Sequence, residues 1–458
     1  MDLRRKRVLV VGLGRSGLGA ARLCLDRGAH VTVTDSRDAA RLASVVDRLA
    51  GRAVLELSGH RADSFLNADL IVISPGVPPL PELAAAREAG VAVMGELELA
   101  SRFVQGRLVA ITGTNGKSTT TSLLGAMVAA SGRPTFVGGN LGPPLVEAVG
   151  TDAAGPDGAL VVEVSSFQLE TVERFHPQVA LLLNLSEDHL DRHPSYAEYI
   201  AAKARVFQQQ SPADFAVVNG EPEQDECLRL ARAAAGQVLT FQVDGVVAGA
   251  GAWSDSSDMV LRLPHASDME RVPRGLLQLA GRHNLQNALA ALLGARLFGA
   301  DLEACRRGLA GFHGLPHRME LVRELQDVLF YNDSKATNVG SVVGSLTGFP
   351  RGVVLIAGGK DKGGDYAPLL PLLGPTVREV VLIGAAAEII AGVIDQRVPV
   401  HRAADLVEAV HIAAALARPQ EAVVLSPACS SYDMFTDFEH RGRVFAEAVR
   451  DLKTAGCA

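Results

Sequence analysis

Short, nearly continuous apolar runs recur along this chain. Each is bounded by glycine, proline or acidic residues and followed by a stretch with helical spacing. Runs of this kind predict strands buried on both faces. They fall into three groups. The first predicts strands at 7–11, 30–34 and 70–74, with helices between them and a loop at Ser74-Pro75-Gly76-Val77-Pro78-Pro79. The second opens at 108–112 and continues at 160–164, 179–184 and 215–219. The stretch 243–275, rich in Gly, Ser, Asp and Pro, reads as short antiparallel strands and turns, and a helix is expected over 284–297. The third predicts strands near 328–331, 353–357, 380–383 and 422–426. Strands alternating with helices at this spacing predict parallel sheets covered on both faces. The expected fold is α/β in three domains, 1–95, 96–314 and 315–458, each a mostly parallel sheet with flanking helices.

Composition removes some classes of function. The 458 residues are 48% apolar and 21% charged, which is ordinary for globular domains. Aromatics at 5% and a net charge of −7 argue against nucleic acid as the main partner, since that needs a basic surface and stacking platforms. The best candidate for a membrane span, 380–394, is interrupted by Glu388, so no span is expected. The basic start Met1-Asp2-Leu3-Arg4-Arg5-Lys6-Arg7 runs straight into a strand, unlike a signal peptide. Cys24, Cys227, Cys305, Cys429 and Cys457 are scattered with no CxxC pair, which suits a reducing cytoplasm and offers no metal framework. A cytoplasmic monomer is the expectation.

Of the 44 basic residues only seven are lysine: Lys6, Lys117, Lys203, Lys335, Lys360, Lys362 and Lys453. A chain that otherwise uses arginine retains lysine by chance or where a compact amine is required. The five internal lysines all fall in or near motifs.

Gly12-Leu13-Gly14-Arg15-Ser16-Gly17 follows a strand and opens a helix, and Asp35 ends the next strand. This is the dinucleotide fingerprint, but the same glycines suit another nucleotide diphosphate, or merely close strand–helix packing. Gly113-Thr114-Asn115-Gly116-Lys117-Ser118-Thr119-Thr120 is a shortened phosphate loop, with Ile111 where the usual spacing has glycine. Glycine amides and a helix N-terminus cradle phosphates, Lys117 supplies a point charge and the Ser118 hydroxyl can ligate Mg²⁺. Two nucleotide-type loops fit an ATP-driven enzyme with a nucleotide-linked second substrate better than a dehydrogenase.

Further stretches complete the pattern: Glu163-Val164-Ser165-Ser166-Phe167-Gln168-Leu169, Asn184-Leu185-Ser186-Glu187-Asp188-His189-Leu190-Asp191-Arg192-His193, Lys203, Gly281-Arg282-His283-Asn284, Leu315-Pro316-His317-Arg318, Tyr331-Asn332-Asp333-Ser334-Lys335-Ala336-Thr337-Asn338 and Ser426-Pro427-Ala428-Cys429-Ser430-Ser431-Tyr432-Asp433. In this order they resemble the Mur ligases, cytoplasmic ATP-dependent amide-forming enzymes of peptidoglycan precursor synthesis. The resemblance covers essentially the whole chain. It implies a Rossmann-like first domain, a P-loop ATPase-like middle domain and a Rossmann-like last domain. The 12–17 and 332–338 loops look like the branch that adds D-glutamate to UDP-N-acetylmuramoyl-L-alanine.

That resemblance implies roles residue by residue. Gly113, Thr114, Asn115, Gly116, Lys117, Ser118 and Thr119 hold ATP, with Asn284, Arg318 and Asp333. Ser118 and Glu163 suit one Mg²⁺; His189 suits a second, with Lys203 as a carbamate formed from CO₂. Lys117, Glu163, His189 and Lys203 form the catalytic set. Gly14, Arg15, Ser16, Asp35, Ser36, Arg37, Ser74, Gly76 and Asn140 line the UDP-substrate path. Lys335, Thr337, Lys362, Ser431, Tyr432 and Phe438 suit D-glutamate. Tyr432 departs from the leucine associated with its position, so only its backbone role carries over. Another Mur ligase, a nicotinamide-binding module and an inactive scaffold are the competing readings.

Overall fold

The computed structural model describes residues 1–49, 51–189, 192–279, 281–394 and 397–453. Leu190, Asp191 and Cys457 lie outside the described residues. The chain folds as two compact units. The first comprises Met1–Leu185, Ile200–Leu276 and Gln286–Phe312, and the second Ser186–Tyr199, Leu277–Leu285 and His313–Ala458. No helix among the described residues is long and apolar enough to cross a membrane.

The first unit carries two sheets. One has five parallel strands, β1 (Arg7–Val11), β2 (His30–Asp35), β3 (Val54–Leu57), β4 (Leu70–Ile73) and β5 (Ala92–Gly95), in the order β3-β2-β1-β4-β5. The strand order reverses at β1, which pairs with β2 on one side and β4 on the other. In open α/β sheets a ligand crevice forms beyond the carboxyl ends of the strands at such a point. The loops after β1 and β4, carrying Gly12–Gly17 and Ser74–Gly76, stand there.

The other sheet has nine strands: β6 (Arg107–Thr112), β7 (Thr135–Gly139), β8 (Ala159–Glu163), β9 (Val179–Leu182), β10 (Phe215–Asn219), β11 (Gln237–Gln242), β12 (Gly251–Ser254), β13 (Asp258–Arg262) and β14 (Glu270–Pro273). Their order is β14-β13-β12-β11-β10-β9-β6-β8-β7. β6 to β12 are parallel, and β13 and β14 run antiparallel at one edge. The switch point is β6, flanked by β8 and β9. Val109, Ala110, Ile111, Val161, Leu181 and Val217 are completely buried, which is why these strands read as unbroken apolar runs.

A six-residue helix, Glu96–Ser101, leads from β5 towards β6. Its Leu97, Leu99 and Ala100 belong to one apolar cluster that includes Val10 and Val72 of the first sheet and Ala110 and Val162 of the second. Glu98 is fully buried. Its carboxylate accepts from the backbone N–H groups of Glu173, Arg174 and Phe175 and pairs with Arg102.

The second unit carries β15 (Glu320–Leu325), β16 (Val328–Asn332), β17 (Val353–Gly358), β18 (Val377–Ile383), β19 (Val400–Arg402) and β20 (Ala422–Leu425), in the order β15-β16-β20-β17-β18-β19. Only β15 is antiparallel. β16, β20 and β17 are adjacent, so the loops leaving their carboxyl ends are brought side by side. The α/β architecture with three mostly parallel sheets is the one expected. The strands β3, β5, β7, β11, β15 and β19 add to those predicted, and the predicted edge segments of 243–275 are β12, parallel to β11, and the antiparallel β13 and β14.

Candidate active site

The phosphate loop joins β6 to the helix Lys117–Ala129. Gly113 and Gly116 have φ of +148° and +82°. At Gly116 an added Cβ would lie 2.2 Å from Asn287 Oδ1, so both conformation and space require glycine. Asn184, just past β9, pins the loop from the side. Its carbonyl accepts from Thr114 N (3.0 Å), its Oδ1 accepts from Asn115 N (2.8 Å), and its Nδ2 donates to Asn115 O (3.1 Å). Lys117 Nζ donates to Gly113 O at 2.9 Å and Thr114 O at 2.7 Å. Lys203, on the helix Tyr196–Ala204 and buried, donates to the same Gly113 carbonyl at 2.7 Å. Two lysine amines thus converge on a helix N-terminus, where anions are favoured. Ser118 and Thr119 are buried in the first turn of that helix.

Glu163 ends β8, hydrogen-bonded in register beside β6. Its Oε1 accepts from Asn140 Nδ2 at 2.7 Å, whereas its buried Oε2 has no hydrogen-bond partner. A buried carboxylate oxygen without a donor is costly unless a cation faces it. Among the described residues no group of three or more His, Cys, Asp and Glu is arranged to hold a metal by itself. One carboxylate beside a hydroxyl and a phosphate loop is, however, the protein share expected for Mg²⁺, which keeps waters and takes phosphate oxygens. The residues therefore fit a phosphate-bound Mg²⁺.

In the first sheet, Gly17 packs so closely that an added Cβ would lie 1.8 Å from Gly12 O. Ser74 Oγ donates to the same carbonyl at 2.9 Å. Gly14 caps the helix Arg15–Asp26 with no side-chain partner, and neither Gly14 nor Gly76 has any atom within 4 Å of where a Cβ would stand. The helix N-terminus is thus open to an anion. Arg15 Nη1 donates to Gly142 O at 2.6 Å. Asp35 is bound at both oxygens: Leu13 N (2.7 Å) and Arg37 Nη2 (2.7 Å) reach Oδ2, and Arg37 N and Nε (both 2.9 Å) reach Oδ1. Burial pushes its carboxyl up, but the Arg37 guanidinium and the Leu13 and Arg37 amides outweigh it and hold it down at about 2. Asp35 therefore shapes the glycine loop as an ionised carboxylate, with Ser36 and Arg37 beside it.

In the second unit, Asp333 follows β16 and is buried. Ser426 Oγ donates to its Oδ2 at 2.8 Å and Met319 N to its Oδ1 at 3.2 Å. Burial raises its carboxyl to about 6 against the pull of Ser426, Ser345 and Arg318. Asn284 lies in the first turn of the helix Arg282–Phe298 and its N–H reaches Gly281 O at 3.1 Å. Lys335 Nζ sits 3.6 Å from the centroid of the Phe438 ring, a cation–π contact. Thr337 N donates to Lys335 O. Lys362 Nζ is 3.6 Å from Asp188 Oδ1, and Asn338 Nδ2 donates to Asp188 Oδ2 at 3.0 Å. His189, next along the chain, adopts φ of +56°, with its Nε2 3.7 Å from Asp188 Oδ2. Ser431 is buried, but Tyr432 is 70% exposed.

Several residues escaped the sequence reading. Asn287 shapes the phosphate loop, and Asn184, which opens the 184–193 motif, pins that loop in a role the motif did not specify. Tyr366 OH donates to Asp361 Oδ1 at 2.7 Å and lies 3.1 Å from Cys429 Sγ, tying the loop before Lys362 to the loop before Ser431. Arg441 is completely buried, yet one arginine in an arginine-rich sequence gives no signal.

Known proteins match the chain along its length. The Mur ligase MurD-like N-terminal domain matches residues 6–95, the Mur ligase middle domain 111–295, and the Mur ligase glutamate ligase domain 317–429. A UDP-N-acetylmuramoylalanine–D-glutamate ligase from Trichlorobacter lovleyi is 47% identical over 456 residues, covering 99% of this chain and 100% of the relative. The enzyme of the same name from Geobacter metallireducens is also 47% identical over 456 residues, 99% of each chain. Among solved structures, a pseudomurein peptide ligase type C from Methanothermus fervidus shares the fold, with a TM-score of 0.61 at 19% identity over 98% of this chain and 100% of that one. A shortened phosphate loop, an orphaned strand-end glutamate and three successive domain matches converge on one assignment: this chain belongs to the Mur ligase family.

Proposed function

We propose that the chain is an ATP-dependent ligase that joins D-glutamate to UDP-N-acetylmuramoyl-L-alanine, releasing ADP and phosphate, in peptidoglycan precursor synthesis. The relatives that match it end to end at 47% identity carry that activity in their names. The structural observation that carries the reading is the phosphate loop with the Lys117 and Lys203 amines on Gly113 O.

A free carboxylate resists attack by an amine. The muramoyl-alanine carboxylate therefore takes the γ-phosphoryl group of ATP to become an acyl phosphate, and the amine of D-glutamate displaces phosphate through a tetrahedral intermediate. Catalysis rests on positioning and on neutralising developing negative charge. Lys117 meets the transferred phosphoryl group; Asn284, Arg318 and Asp333 hold the nucleotide. Ser118 and Glu163 are assigned to one Mg²⁺, and the family resemblance assigns His189 and a carbamate of Lys203 to a second. Bound Mg²⁺ supplies charge neutralisation on phosphate oxygens. The uncapped helix at Gly14 takes the UDP diphosphate, with Arg15 and Ser16. Asp35, Ser36 and Arg37 take the uracil, and Ser74, Gly76 and Asn140 the rest of that substrate. Lys335, Thr337, Lys362, Ser431, the Tyr432 backbone and Phe438 receive D-glutamate. We keep 1–95, 96–314 and 315–458 as the domain limits. As proposed, the enzyme is a monomer acting in the cytoplasm, where free buried thiols such as Cys24 and Cys227 are at home.

The test is phosphate release from ATP with UDP-N-acetylmuramoyl-L-alanine, with D-glutamate, with a panel of other amino acids, and without any. Release that requires D-glutamate supports the reading, and equal or better release with another amino acid overturns it.

A further inference from the structure

The helix Phe438–Asp451 carries Arg441 into the core of the second unit, where it is 0% exposed. Among the described residues, its side-chain hydrogen bonds all go to uncharged oxygens. Nε donates to Ser334 Oγ (3.0 Å), Nη2 to Ser334 O (2.8 Å), and Nη1 to Cys429 O (3.1 Å) and Ser430 O (3.3 Å). Buried guanidinium groups are ordinarily paired with a carboxylate, and an apolar side chain of similar size is often the more stabilising choice. Asp433, the acid with an electrostatic influence on Arg441, is hydrogen-bonded to Ala385 N instead (3.0 Å). Burial lowers the guanidinium to about 10, so it stays protonated at neutral pH.

The acceptors explain why such a residue is kept. Ser334 immediately precedes Lys335 and lies in the loop of Thr337. Cys429 and Ser430 immediately precede Ser431. Ser430 in turn pairs with Lys360, N to O in both directions at 2.9 and 3.1 Å, in the loop that carries Lys362. That third loop lies close as well: a Cβ on Gly359 would be 2.4 Å from Ser430 O and 3.2 Å from Arg441 Nη1. Phe438, one turn before Arg441 on the same helix, accepts from Ser334 Oγ through its carbonyl at 2.9 Å. One planar fork of donors therefore joins the loops leaving β16 and β20, and the Ser430–Lys360 backbone pair attaches the loop leaving β17 to them. A lysine has no such fork.

We propose that Arg441 is a positioning residue for the amino-acid substrate, locking the 333–338, 358–362 and 429–431 loops so that Lys335, Thr337, Lys362 and Ser431 meet a dicarboxylic amino acid as one preformed surface. This rests on the assignment of those loops to the amino acid made above. Its positive charge, hydrogen-bonded among the described residues to uncharged oxygens, also biases that surface towards a dianion.

The test uses the full chain and steady-state phosphate release with ATP, UDP-N-acetylmuramoyl-L-alanine and D-glutamate. Arg441→Lys keeps the charge and removes the fork. Its KM for D-glutamate should rise about tenfold or more, the size of one lost charge-assisted hydrogen bond, while KM for ATP and for the UDP substrate stay within about threefold. In Arg441→Ala, millimolar guanidinium ion should restore part of the lost D-glutamate affinity. An unchanged D-glutamate KM, or a parallel rise in all three KM values with no guanidinium rescue, overturns the proposal and leaves a purely structural arginine. If neither arginine variant folds, Ser334→Ala decides. It leaves the guanidinium in place but removes the Oγ that accepts from Arg441 Nε and donates to Phe438 O, and it should raise KM for D-glutamate selectively; an unchanged value counts against the proposal. Should the wild-type enzyme prefer another amino acid, the substrate assignment fails, and the same KM comparison with that amino acid still scores Arg441.

Discussion

At the scale of single residues, three substitutions separate the two nucleotide-type loops from each other. Lys117 reaches two carbonyls of its own loop at 2.9 and 2.7 Å, a geometry that suits a compact ammonium. Lys117→Arg keeps the charge but brings a larger, planar group into a shortened loop, and turnover should fall roughly 10²-fold, as for loss of a preorganised donor. Near-normal phosphate release would refute this. Glu163 presents the opposite case, a buried oxygen that folding leaves without a partner. Glu163→Gln keeps an acceptor for Asn140 and removes the buried charge. Activity should be lost while the melting temperature without nucleotide or Mg²⁺ stays level or rises, because the charge serves a ligand rather than the fold. A clear fall in melting temperature would contradict that. Asp35 holds Leu13 N and Arg37 together, and Asp35→Ala should weaken UDP-substrate binding by about tenfold, in line with roughly 1–3 kcal/mol for a lost buried acceptor, with ATP affinity unchanged. Calorimetric titration of each substrate checks it, and weaker ATP binding instead would mean that the two loops have been assigned in reverse.

At the scale of elements, close approach matters more than side-chain chemistry. Gly17 lets the helix Arg15–Asp26 lie against the Gly12 carbonyl. Gly17→Ala puts a Cβ 1.8 Å from that oxygen, against backbone that cannot give way as a side chain would. The helix must move, and the expected cost is on the order of 1–3 kcal/mol, read as a lower urea midpoint together with weaker UDP-substrate binding. A variant with both unchanged would show that the contact is slack. The same elements show what the sequence makes legible. Strands such as β6, β8, β9 and β10 are buried on both faces, so burial is written directly as an apolar run. β3 runs along a sheet edge with Val54 and Leu55 exposed, and its Val-Leu-Glu-Leu pattern carries no such mark. β7 ends in two glycines, and β15 and β19 are short or polar edge strands. The glycine loops were readable because phosphate chemistry restricts residue types locally. The loop-pinning role of Asn184, and the roles of Tyr366 and Arg441, were not, because each acts on residues far away in sequence, a relation that only the sheet order creates.

At the scale of the whole molecule, the join between the first two sheets carries an acid that folding holds at a disadvantage. Glu96 is 1% exposed at the start of the helix Glu96–Ser101; its Oε1 accepts from Val146 N at 2.6 Å and its Oε2 has no partner. Val146 belongs to the segment that also contains Gly142, bound by Arg15, and Asn140, bound to Glu163. Glu96 thus anchors the strip that runs between the two glycine-loop sites of the first unit. Burial is the main cause that raises its carboxyl from the ordinary 4.5 to about 7; Glu147 adds to the rise and the Val146 N–H opposes it. The folded state therefore holds a proton that the unfolded state has released throughout the interval between these values. Stability must fall as pH climbs from about 4.5 to about 7, and this contribution levels off above that. Glu96→Gln, uncharged at every pH and able to accept from Val146 N, should remove the effect. Below about pH 4.5 the two proteins should unfold at similar urea concentrations. Above pH 7 the variant should be the more stable, by a few kcal/mol, the order implied by a shift of this size. Urea midpoints of the full chain at intervals from pH 4.5 to 8 supply the measurement. A difference between wild type and variant that does not change with pH would show that Glu96 ionises without penalty, and that the junction is held by the apolar contacts of Leu97, Leu99 and Ala100 alone.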